Sequence, residues 1–134
     1  MSIITTNQIE TLFKSEFLPL VGKFQTFVLS FSEAASLKDD HAWKPGCYVL
    51  WSPTAGPVKV GRHLKNAKKR ALEHLDADYQ NDEKNRIIRE MKQNPASRLL
   101  LFNVKQVEDK HWVAAVEIFL ETRINPAIAA LRLG

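Results

Sequence analysis

Residues 46–61 read Gly-Cys-Tyr-Val-Leu-Trp-Ser-Pro-Thr-Ala-Gly-Pro-Val-Lys-Val-Gly. The apolar, aromatic run at 47–51 predicts a buried strand. Ser52, Pro53, Gly56 and Pro57 bring turn chemistry, and residues 58–61 resume the strand pattern. The two runs therefore predict an antiparallel hairpin. Side chains alternate along a strand, so Tyr48 and Leu50 share one face while Cys47, Val49 and Trp51 share the other. Lys59 sits between Val58 and Val60 and is expected on the side opposite to both.

On the C-terminal side, Ala67, Ala71, Leu72 and Leu75 space out a helix over 65–75, and Ile87, Ile88 and Met91 another over 82–92. Asn94-Pro95 breaks the second. Residues 98–107, rich in Leu, Phe and Val, predict a third strand, and 110–124 a long apolar helix. Pro126 suits the first turn of a short final helix. On the N-terminal side, Thr5 and Gln8 have the spacing of a capping box, and Ile9, Leu12, Phe13 and Phe17 follow helical spacing up to Pro19. Residues 24–31 read as a strand or a buried helix, since a short apolar run fits both.

Strands and helices do not alternate singly, which excludes a doubly wound parallel sheet. The expectation is an α+β fold: a small three-stranded antiparallel sheet flanked by helices. Residues 1–45 form a mostly helical N-terminal extension to a unit at 46–134, the two making one compact body.

The 134 residues are 45% hydrophobic and 25% charged, ordinary values for a globular domain. No apolar run is long enough to span a bilayer, and the first residues lack the basic and apolar regions of a signal peptide. The single cysteine, Cys47, excludes an internal disulfide and a Cys-rich zinc site. Its place in an apolar strand predicts a core role rather than a nucleophile. A reduced, cytoplasmic protein without membrane contact is expected. The net charge of +4 is concentrated: residues 46–75 hold 6 Lys/Arg and 1 Asp/Glu, whereas 1–45 and 76–134 are near neutral. A basic tract of that kind suits a phosphate backbone.

Three features point to chemistry. Tyr48 and Lys59 on adjacent strands are able to hold a water or a phosphate oxygen. Arg70 and His74, four apart, share a helix face and combine a planar phosphate fork with a proton acceptor. Glu117 interrupts an apolar helix, where a carboxylate is costly unless paired or bound to metal, and oxygen ligands suit Mg²⁺. Each feature alone is also found in surface pairs, solvated basic helices and paired core carboxylates. Of the three tryptophans, Trp43 beside Lys44 is the candidate base-stacking platform; Trp51 and Trp112 lie in apolar runs that predict packing.

In sequence, Gly46-Cys47-Tyr48 and Lys59-Val60-Gly61 stand ten residues apart, Arg70 follows Gly61 by nine, His74 follows Arg70 by four, and Pro126 follows Glu117 by nine. This series resembles the GIY-YIG nucleases over roughly residues 44–130. The resemblance implies that Tyr48 positions or deprotonates the attacking water, Arg70 holds the scissile phosphate, and His74 assists proton transfer. It implies Glu117 as the ligand of one Mg²⁺ or Mn²⁺. Lys59 stands where the family usually has tyrosine, and Ala129 where it usually has asparagine. Lys59 is kept in the catalytic set as a phosphate donor or a charge acting on Tyr48.

The expected function is metal-dependent hydrolysis of phosphodiester bonds in DNA, duplex or branched, with Arg62, His63, Lys65, Lys68 and Lys69 on the nucleic acid. One such site cuts one strand, so double-strand cleavage requires two copies or two events. The second expectation is a nucleic-acid-binding module of the same fold without catalysis, and the third a protein-interaction domain.

Overall fold

The computed structural model of the protein describes residues 3–129. Strands β1 (Phe24–Leu29), β2 (Gly46–Ser52), β3 (Gly56–His63) and β4 (Arg98–Val104) form one antiparallel sheet in the order β1-β4-β2-β3. The helices are α1 (Thr6–Glu16), α2 (Phe31–Ser36), α3 (Ala67–His74), α4 (Asp82–Gln93) and α5 (His111–Ile124). The expected α+β class and flanking helices are present, but the sheet has four strands rather than three. The added strand is β1, which pairs along its length with β4. Its sequence is ambiguous for a physical reason. Phe24 packs into the core on one side, while Phe27 and Leu29 pack on the other. With apolar residues on both of its faces the strand carries no polar alternation to read.

Each face of the sheet has its own core. On one side, Ile9 and Phe13 of α1 and Val113, Val116, Leu120 and Ile124 of α5 cover Cys47, Val49, Val60, Leu100 and Phe102. On the other, Ala34 of α2, Ala67 and Ala71 of α3, and Ile88 and Met91 of α4 cover Tyr48, Leu50, Val58, Leu99 and Leu101. Cys47 is thus a buried core residue. The described part of residues 1–45 shares these cores: the Phe13 ring lies 4.7 Å from that of Phe102, and Trp51 donates its indole N–H to the Ile4 carbonyl at 2.8 Å. Thr5 and Gln8 form the expected capping box, their reciprocal bonds measuring 3.1 and 2.8 Å.

Two local features shape the site. The Ser52 hydroxyl accepts the N–H groups of Thr54 and Ala55 and turns the hairpin. The β2–β3 register then slips beside the turn, Leu50 facing Lys59 while Trp51 faces Pro57. Val58 is the extra residue of this bulge. It joins the same core as Leu50, and Val60 joins the opposite one, so Lys59 is not set against both valines as simple alternation predicts. Its cross-strand partner Leu50 puts it on the face that Tyr48 shares. After α5, Asn125 adopts a left-handed backbone, φ 49°, and redirects the chain along β3. There Ala127 and Ile128 donate their N–H groups to the Pro57 and Val58 carbonyls at 3.0 and 2.8 Å. This strap covers a sheet edge that would otherwise be open. The expected final helix does not begin within 126–129; its remainder lies outside the described residues.

Candidate active site

Tyr48 rises from the middle of β2 directly opposite Gly61 of β3. A Cβ at Gly61 would fall on the Tyr48 hydroxyl and ring, so the glycine is what lets the ring cross the neighbouring strand. The imidazole of His74 lies parallel to the Tyr48 ring, with centroids 5.7 Å apart and planes inclined by 19°. His74 and Arg70 project from α3, whose first turn is capped by the Asn66 side chain on the Lys69 N–H.

These groups open on a cavity of about 570 Å³ whose lining includes Tyr48, Lys59, Arg70, His74 and Glu117. All five residues named from sequence as catalytic therefore share one wall system. Arg62 belongs to it as well and donates to Glu117 Oε1 at 2.9 Å. Glu117 lies on the buried side of α5 with Val113, Leu120 and Ile124, as its spacing predicts.

The charge states follow from burial and from the crowd of cations. Burial lowers the His74 pKa to about 4, with Lys59 and Arg70 pushing the same way. The imidazole is therefore neutral at neutral pH and is a hydrogen-bond acceptor rather than a strong base. Burial raises the Tyr48 phenol well above its ordinary range, against the pull of Arg70, so the hydroxyl keeps its proton. Burial also lowers the Lys59 pKa, opposed by Glu121 and reinforced by Lys84 and Arg70.

The basic residues named for nucleic acid divide in two. Arg62, Lys65 and Lys69 are exposed. His63 and Lys68 have work inside the fold. His63 Nδ1 accepts the backbone N–H groups of Lys65 and Asn66 and shapes the entry to α3. Lys68 is buried and donates from Nζ to the Leu37 carbonyl at 2.8 Å. Trp43 is 53% exposed, with the Lys68 ammonium 5.8 Å from its ring.

Two polar lining residues escape the sequence reading: Tyr79, in the loop between α3 and α4, and Lys84, in the first turn of α4. Tyr79 is the single aromatic residue between His74 and Phe102, and its isolation in a polar stretch is the signal that could have found it. Lys84 carries no such signal.

Among the described residues no three His, Cys, Asp or Glu side chains converge on a point, and Glu117 is the one carboxylate in the cavity lining. That donor set fits a divalent ion taking one protein oxygen and filling its shell from phosphate and water, the habit of Mg²⁺. No protein-family model, curated protein or solved structure matches the chain.

Proposed function

We propose that the protein is a metal-dependent phosphodiesterase of the GIY-YIG type acting on DNA. The observation that carries this reading is the meeting of Tyr48, Lys59, Arg70, His74 and Glu117 around one cavity, at the positions that the resemblance picks out in sequence. The exposed Lys65 and Lys69, just before Arg70 in the chain, supply the backbone contacts.

Each side chain has a task set by its surroundings. Arg70 neutralises charge that develops on the scissile phosphate. The protonated Tyr48 hydroxyl donates to the attacking water or the phosphate and orients it. Neutral His74, parallel to that ring, offers a nitrogen that accepts a hydrogen bond from the attacking water and orients it, and the water's proton passes to solvent. Lys59 adds a donor where the family carries a hydroxyl. Glu117 would hold the Mg²⁺ or Mn²⁺, which when bound polarises the phosphate and steadies the leaving oxygen.

The test is cleavage of plasmid and branched DNA with Mg²⁺ or Mn²⁺, an EDTA control, and Glu117→Ala beside the wild type. Metal-dependent cutting lost in a folded Glu117→Ala is the expected result; full activity in that variant would sink the mechanism. A second reading, binding without cutting, draws on the Arg62–Glu117 ion pair, which occupies an oxygen of the proposed metal ligand. It predicts salt-sensitive DNA binding with no cleavage by the wild type.

A further inference from the structure

Lys59, Arg70 and Lys84 line the same cavity, and none forms an ion pair with a described carboxylate. The described lining holds four basic side chains and one carboxylate. Arg62 and Glu117 offset each other and Glu121, outside the described lining, acts on Lys59, so with His74 neutral the lining still keeps an excess of positive charge. One internal phosphodiester brings a single negative charge, and a divalent ion at Glu117 widens the gap. Like charges gathered in a partly buried wall favour an anion richer than that.

Two of these cations are grouped around one ring. Lys59 Nζ lies 5.8 Å and Lys84 Nζ 5.9 Å from the centre of the Tyr79 ring. Cation–π attraction keeps both ammonium groups close while their N–H donors stay uncommitted. The ring is fixed by its backbone: the Tyr79 N–H donates to Asn85 Oδ1 at 3.1 Å, and Asp78 Oδ1 accepts from the Gln80 N–H at 3.0 Å. The Tyr79 hydroxyl is buried, and no described residue hydrogen-bonds to it. Two free ammonium groups and an orphan hydroxyl make a cluster rich in donors, which suits an oxyanion.

We propose that Lys59, Tyr79 and Lys84 form a second anion subsite that takes a terminal phosphate monoester of a nucleic acid strand. This deepens the phosphodiesterase reading and rests on it. A terminal phosphate carries close to two negative charges and three free oxygens near neutral pH, matching the two ammonium groups and leaving Arg70 for the scissile diester. The competing source of the same chemistry is the next internal phosphodiester, with one charge and two free oxygens.

Binding in EDTA, where metal-dependent cleavage is silent, separates the two. Fluorescently labelled oligonucleotides of one sequence are titrated bearing a 5′-phosphate, a 3′-phosphate, or hydroxyls at both ends. One phosphorylated end binds about tenfold tighter than the hydroxyl end, the scale of one charge-assisted contact. That ratio falls toward one in Lys84→Gln and shrinks in Tyr79→Phe, with the melting temperature of both held. Equal affinity for all three ends, a ratio that survives Lys84→Gln, or no binding of any strand overturns the subsite. An end preference in a protein that cuts nothing keeps the subsite and removes the nuclease reading. Metal-dependent cutting without an end preference does the reverse.

Discussion

Tyr48 and Gly61 face each other across β2 and β3, and the tyrosine ring occupies the space a Gly61 side chain would need. The pair ties the backbone of one strand to the position of the hydroxyl proposed to be catalytic on the next. Gly61→Ala forces the ring off its place, so cleavage should fall by at least about tenfold while the fold loses about 1–3 kcal/mol, the cost of overpacking a filled site. Turnover and urea unfolding on the same preparation check both. Unchanged activity would show that the placement of Tyr48 is not needed.

The depressed pKa of His74 makes stability depend on pH. The folded imidazole titrates near 4 because of burial and the neighbouring Lys59 and Arg70, against about 6.5 in the unfolded chain. Between those values the unfolded state binds the extra proton, so this group's contribution is complete above about pH 6.5 and is lost as pH falls toward 4. Urea midpoints at pH 7 and pH 5 should differ more in the wild type than in His74→Asn. Equal differences would assign the acid sensitivity to other groups.

Arg62→Ala leaves the buried Glu117 carboxylate without its bond to the guanidinium. The expected cost is about 1–2 kcal/mol, the exposed arginine being partly screened. The same change should tighten Mn²⁺ binding in the absence of nucleic acid, read by relaxation of water protons. Weaker or unchanged Mn²⁺ binding would place the ion away from Glu117.

Lys68 and Lys69 are neighbours with different work. Lys68→Ala removes the bond to the Leu37 carbonyl and should lower stability by about 1 kcal/mol or more. Lys69→Ala should leave the melting temperature alone and reduce the salt slope of DNA binding by about 0.9, one phosphate contact. The two slopes and two melting curves decide it, and exchanged results would refute the assignment.

The hairpin, the capping box at Thr5 and the helices around Arg70, Ile88 and Glu117 were legible because each depends on local spacing. Tyr48, Lys59, Arg70 and His74 were legible because the hairpin and α3 are contiguous in sequence, and Glu117 because a carboxylate interrupts the apolar run of α5. The contributions of β1, Val58, Tyr79 and Lys84 were not. Strand β1 is defined by β4, about seventy residues away, and the Val58 bulge by a register that exists only between two strands. Tyr79 and Lys84 reach the cavity through a loop geometry set by Asp78 and Asn85, which no periodicity reports. The inward turn of Lys68 likewise depends on a carbonyl thirty-one residues away.

The strap that follows α5 gives the cavity a clock. Ile128 and Ala129 are wall residues; among the described residues the strap makes two backbone bonds to β3 and buries Ile128 in the second core, whereas the central strands are bonded on both sides. Local opening of such a segment requires less free energy than global unfolding. Deuterium exchange at the Ala127 and Ile128 amides therefore times how often the wall swings away, and a strand bound in the cavity should slow those two amides before any in the sheet.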